Sequence, residues 1–296
     1  MSPAGASLSA TDMALLRRTM PRAFGASTAV RLGLAAGWVA FASLIVLCLW
    51  SMDASPQRLW QGLGKLGWLL PLMVPPTPGG WLAEFSYAML ETLAMAFLGT
   101  LLASLAAIPL GFLGASNVVP QLVWHFGLRR CFDALRGVDA LIWALMFVNV
   151  VGLGPFAGVM AIAMSDIGTL AKLCAEAIEN VDRRQLEGVR ATGANRLQLI
   201  WFAMLPQVFP VMLGHVLYYL ESNTRSATIL GVVGAGGIGL HLADRIRVNN
   251  WDEVSFILIM ILVVVTGIDL VSKALRLRFI QASRTVAVTS RPAELP

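Results

Sequence analysis

The sequence predicts an all-α, polytopic transmembrane helical bundle of about six spans, and three observations carry that expectation. Of 296 residues, 57% are hydrophobic and only 13% charged, with a mean hydropathy of +0.73, against about 25% charged in soluble domains. Charge-free runs long enough to cross a hydrocarbon core of about 30 Å recur along the chain, the first at Leu32–Met52. One polar island, Gln185–Pro206, lies between such runs and must stand outside the bilayer.

Residues 1–31, rich in Ser, Ala, Thr and Arg, read as a cytoplasmic tail with one amphipathic turn near Ala14–Met20. Residues 32–52 form an uncleaved first span: the run exceeds a signal-peptide core, and no small-x-small cleavage site follows. Residues 53–84, with Trp60, Trp68, Trp81 and a cluster of prolines, suit an extracytoplasmic interfacial helix and turn that lie against membrane lipid. The core, 85–278, opens with a span at Phe85–Leu113, followed by a polar stretch, Ser116–Asp139. Gly152-Leu153-Gly154-Pro155 divides the next apolar block. Span three is thus Val138–Val151, extended backward through a helical Asp133–Arg136, and span four is Pro155–Glu176. After the loop 177–206, span five starts at Gln207, and the Gly-rich run Gly231–Gly239 predicts a broken or re-entrant segment. Asp244–Glu253 reads as a loop and Val254–Val271 as span six, with Asp269 meeting a lipid-facing or loop arginine. The basic stretch after Lys273, including the cytoplasmic tail 279–296, reads as disordered.

Six spans place both termini and the island on one side, which then carries seventeen of the 22 Lys and Arg residues. That asymmetry assigns them to the cytoplasm and accounts for the basic charge without nucleic acid. Cys48, Cys131 and Cys174 show no metal-ligand spacing and read as packing residues, and His125, His215 and His241, likewise without such spacing, as packed or interfacial ones. Gly62-Leu63-Gly64-Lys65 lacks the spacing and hydroxyl of a phosphate-binding loop. Gly234-Ala235-Gly236-Gly237-Ile238-Gly239 matches a dinucleotide fingerprint in letters only, since the βαβ context is missing. Energy must therefore come from a partner.

In the island, two short helices at Arg184–Thr192 and Asn195–Met204 are expected to meet at Gly193, with Pro206 in the first turn of the next span. Glu187, Gly193 and Leu205-Pro206 keep the skeleton of the cytoplasmic signature loop of binding-protein-dependent ABC importer permeases. Gly188, Val189 and Ala203 depart from its Ala-Ala and Ile positions. Gly152–Met160, Lys172–Glu179, Arg190–Ala194, Glu221–Arg225 and Gly231–Gly239 sharpen the likeness. Together they resemble the permease subunit of phosphonate transporters, a group that includes phosphite and hypophosphite importers. The resemblance covers Leu32–Arg278.

It implies the type I ABC importer permease fold in a bacterial inner membrane. It also implies a second permease copy, a periplasmic substrate-binding protein, and two cytoplasmic ATPase subunits that hold ATP and Mg while this chain holds no cofactor. Glu187, Arg190, Gly193, Arg196, Leu205 and Pro206 are then the ATPase-coupling residues, and Gly231, Gly234, Gly236, Gly237 and Gly239 the gate.

Arg225 is the one cation placed at membrane depth, where it costs about 2.5–3.5 kcal/mol on insertion scales. Glu221, one helical turn earlier, either neutralises it as a structural pair or competes for it with an anionic substrate, with Asn223 offering amide donors. Glu91 and Asp166 are the other acids at depth, Glu91 near enough to the outer interface to be solvated. They line a polar pathway or stay paired and inert. The sequence thus reads as a transport subunit without covalent chemistry. A permease for another small solute and a proton-coupled transporter using Glu91, Asp166 and Glu221 are the alternatives; no motif supports an intramembrane enzyme.

Overall fold

A computed structural model describes residues 28–52 and 55–289. The expected turn near 14–20 lies outside them. The chain divides into residues 1–70 and 71–296, each taken by itself. Among the described residues every regular element is helical.

In the first unit, α1 (Thr28–Ser51) contains the candidate span Leu32–Ser51. Helix α2 (Pro56–Leu72) occupies the expected interfacial segment and runs two residues into the second unit.

The second unit is built on α3 (Leu82–Gly114) and α6 (Pro155–Glu179), which pack along each other. Small residues allow this approach: Ala96, Ala103 and Ala107 on α3, and Ala157, Ala161 and Ala171 on α6, are all buried. A Cβ at Gly99 would stand 2.7 Å from the Cβ of Ile162, so the contact is closer than larger side chains permit. Around this pair lie α4 (Leu122–Arg136), α5 (Ala140–Val151), α9 (Leu205–Leu230), α10 (Ile238–Arg247) and α11 (Trp251–Thr289). The island supplies α7 (Arg183–Ala191) and α8 (Arg196–Leu199).

Four expectations about element bounds need correction. Asp133–Arg136 is helical as expected but does not run straight into span three: α4 and α5 together are apolar and long enough for one span, yet meet at 82°. The break follows from Asp139, whose carboxylate accepts the Leu141 N–H at 2.9 Å and starts a new helix. Span five begins upstream of Gln207, in a helical run from Arg196 to Ala235. Pro206 cannot donate within that run, and a π-helical turn at Ile200–Met204 precedes it, with the Leu205 N–H reaching back to the Ile200 carbonyl. Asp244–Arg247 is helical, because Ile238, Leu242 and Ile246 continue one apolar face, leaving a loop of only Val248–Asn250. Finally, residues 274–289 are helical rather than disordered, since α11 continues to Thr289; the expectation for 290–296 lies outside the described residues.

Candidate functional site

The island folds as a small two-helix knob. Asp182 caps α7 by accepting from the Arg184 N–H at 2.9 Å. Asn195 and Gln198 form a reciprocal capping box at 2.9 Å in each direction, fixing the start of α8. Between them Gly193 takes φ +80°, a left-handed value that costs an L-residue about 1–2 kcal/mol. No heavy atom stands within 4 Å of where its Cβ would be, so backbone geometry alone selects glycine. Leu186 and Leu199 turn inward against Ile178, Met204 and Val208. Gln207 bridges the knob to α9, donating to the Ala203 carbonyl at 2.8 Å and accepting the Asp182 N–H at 3.1 Å. Glu187, Arg190 and Arg196 point outward, and among the described residues none has a side-chain partner. Pro206 is exposed and Leu205 half-buried.

The opposite arrangement holds in the middle of the bundle. The Asn223 amide of α9 donates to Thr100 Oγ1 of α3 at 2.9 Å and to the Asp166 carboxylate of α6. The Thr100 hydroxyl in turn donates to the Ala96 carbonyl at 2.7 Å. All three side chains are at most 6% exposed. Asp166 and Asn223 therefore face each other inside one chain and tie three helices together. A buried carboxylate in such surroundings is tolerable only with partners of this kind.

A second polar knot holds the Gly-rich segment. Helix α9 ends in a π-helical turn, Gly231–Ala235, and Gly234, Gly236 and Gly237 all take positive φ. Helix α10 then starts without a cap of its own. Its leading N–H groups are satisfied by adjacent residues of α3: Glu91 accepts from Gly237 at 3.0 Å and Thr92 from Ile238 at 2.9 Å. On the other side, the Gly154 N–H donates to the Gly234 carbonyl at 3.1 Å. The predicted break is thus present at the Gly-rich run, gripped between α3 and the α5–α6 turn; Gly231 and Gly239 pack against each other across it. Glu91 is half-buried, accepting one backbone donor from the break on one side while staying open on the other. It also lines an open 440 Å³ pocket with Tyr87, Met95 and Phe156.

Glu221 and Arg225 are neighbours as expected, but 4.0 Å apart. The stronger partner of Glu221 is Arg276, at 2.5 Å, with its guanidinium 5.9 Å from the centroid of the Tyr218 ring. Arg225 keeps a 56% exposed side chain, and Asp269 pairs with Lys273 at 2.6 Å rather than with an arginine. Helicity through Arg276 brings that cation to Glu221 of α9, while Lys273 stays exposed and pairs within α11. Sequence reasoning missed Thr92, Thr100 and Arg276. The threonines stand in an apolar span beside or near a singled-out acid, and Arg276 answers an acid that a neighbouring arginine only partly matches.

The family described as binding-protein-dependent transport system inner membrane component matches residues 107–284. The chain belongs to that family. A phosphite transport system permease protein of Stutzerimonas stutzeri is 35% identical over 263 residues, covering 89% of this chain and 94% of that one. A phosphate-import permease of Mycolicibacterium smegmatis is also 35% identical, over 84% of this chain and 46% of its own length. The structure resembles the inward-facing MetNI methionine ABC transporter, with a TM-score of 0.60 and 18% identity, over 69% of this chain and 99% of that chain. The fold is that of type I ABC importer permeases. As a permease of this family, the chain is a multi-span membrane component of a binding-protein-dependent importer, and the knob, the buried network and the Gly-rich break are parts of that assembly.

Proposed function

We propose that this permease carries a small phosphorus oxyanion, of the phosphite or phosphonate class, through a pathway enclosed by two copies of the chain. The likeness to the phosphite permease, which extends over nearly the whole of both chains, carries the reading. A periplasmic binding protein delivers the anion, and two ATPase subunits holding ATP and Mg dock on the knobs. The termini and the knob are cytoplasmic, in keeping with the basic-residue asymmetry. This chain holds no cofactor and makes or breaks no covalent bond in the substrate.

The knob supports the coupling role because its charged outer face is unanswered while its apolar inner face is packed. Glu187, Arg190 and Arg196 are available to a soluble partner, and Gly193, Leu205 and Pro206 set the angle at which movement reaches α9. The Gly231–Gly239 break supports the gate role, since a segment held by backbone bonds to two neighbours can have a second arrangement. Arg225 is the exposed cation that an anion in the pathway would meet. Asn223 and Asp166 hold the interior beside it, while Glu221 and Glu91 fix the two ends of the moving region.

Uptake of phosphite into proteoliposomes containing the permease and its ATPase tests this reading. Uptake that requires both internal ATP and added binding protein is expected. Uptake by the permease alone on a proton gradient overturns it.

A further inference from the structure

The α4–α5 pair is one span broken halfway. Helix α4 packs on the middle of α6: a Cβ at Gly168 would stand 2.7 Å from the Phe132 carbonyl oxygen and 3.1 Å from the Arg136 nitrogen. From Gly168 back to Pro155 is about 20 Å of α6, a distance that the 12 residues of α5, about 18 Å, nearly cover. The break at Arg136–Asp139 therefore lies at mid-depth, near the level of Asp166, although the sequence presents 116–139 as a polar stretch between spans. Arg136 joins Arg225 at that depth.

Position 136 follows the buried Phe132 by four residues and shares its inward face, so Arg136 is turned away from the outer side of α4. It is nevertheless exposed and makes no ion pair among the described residues. The acids around it are engaged elsewhere: Asp133 with Lys172 at 2.6 Å and Arg130 at 3.4 Å, Asp139 with the Leu141 N–H, and Asp166 with Asn223.

Beside Arg136 a polar groove runs along α6. Its floor is the strip Ser165, Thr169, Leu173, Glu176 and Asn180, which recurs every three or four residues and is nowhere fully buried. On one side stands α4, held at Gly168 and Lys172; on the other stands α9, with Tyr219 beside Thr169 and within electrostatic reach of Arg136. Toward the knob the strip opens into a 390 Å³ pocket that also takes in Gln207 and His215 of α9. A guanidinium at membrane depth with no acid to neutralise it, next to hydroxyl donors, is matched by an oxyanion. The fork binds two oxygens of such an ion and the hydroxyls donate to the others.

We propose that Arg136 is a second oxyanion contact in the pathway, holding phosphite or phosphonate in the α6–α9 groove against the Thr169 and Tyr219 hydroxyls. The substrate class rests on the reading under Proposed function; the cationic groove does not.

The permease–ATPase complex is reconstituted with Thr169→Cys in a background of Cys48→Ala and Cys131→Ala, the buried Cys174 being kept. An anionic methanethiosulfonate should modify the new thiol about tenfold faster than a cationic one of similar size. Phosphite should slow that reaction, and adding Arg136→Gln should bring the two rates together. A thiol that neither reagent reaches would mean that lipid or protein fills the groove, and a preference that survives Arg136→Gln would mean that Arg136 does not face it; either overturns the proposal, as does a reaction indifferent to phosphite. In uptake, Arg136→Gln should lower the phosphite carried per ATP hydrolysed about tenfold, the loss of a charge-assisted pair, with Arg136→Lys recovering most of it. A ratio kept at the parent value, whether both rates fall or neither does, would overturn the contact. If the parent complex carries no phosphite yet shows the labelling preference, the reading under Proposed function fails while the cationic groove stands.

Discussion

The middle of the bundle and the knob use polar residues in opposite ways. At Thr100, Asp166 and Asn223 each polar group finds a partner on another helix of the same chain. At Glu187, Arg190 and Arg196 the backbone is fully capped, yet the outward side chains have no partner among the described residues. Satisfied groups hold elements in place, whereas unsatisfied ones on a rigid support are ready to bind. The contrast therefore separates what keeps the helices together from what is left open to a partner. The Gly231–Gly239 break stands between these extremes, held by backbone bonds that are few and borrowed.

The comparison breaks most visibly in the interior. Asn223→Leu leaves the Asp166 carboxylate buried without its donor, and a loss of about 3 kcal/mol in unfolding free energy is expected in detergent denaturation. A loss within a few tenths of a kcal/mol would mean that the three helices do not depend on the network. Smaller effects belong to the break. Replacing Glu91 by Ala together with Thr92 by Val removes both acceptors from the start of α10 and should cost about 1–2 kcal/mol, read as faster amide exchange at Gly237 and Ile238. Glu91→Gln keeps an acceptor and should lie between the double variant and the parent. The smallest change in stability is expected at the exposed cation: Arg225→Gln should stay within about 0.5 kcal/mol, because its partner Glu221 retains Arg276. Uptake should nevertheless fall strongly in an assembled, correctly inserted complex. Normal uptake would remove Arg225 from the pathway.

The spans were legible because membrane crossing demands apolar runs of a fixed length, and among the described residues five helices, or six with the bent α4–α5 pair, meet that demand by length and composition. Gly193 was legible for a related reason, since a left-handed residue between two short helices leaves few choices but glycine. Pairings distant in sequence were not. Glu91 and Gly237 meet from α3 and the start of α10, and Glu221 and Arg276 from α9 and α11; nothing local in either segment names the other. Arg276 was obscured further by an assignment of its segment to a disordered tail, although the helical pattern continues through it. The α4–α5 bend carried a readable sign in Asp139, an N-cap residue directly before an apolar run. Its effect on direction, however, depends on how α4 packs on α6, which periodicity does not reveal.

The account rests most on the knob as the place where an external force enters a chain whose interior is closed. Gly193→Val tests that claim without touching the interior, because the substituted side chain meets open space and only the backbone angle is opposed. The reconstituted transporter should insert and assemble as before but hydrolyse ATP without the matching uptake, or release its ATPase. Uptake and hydrolysis still in step at the parent ratio would contradict the account.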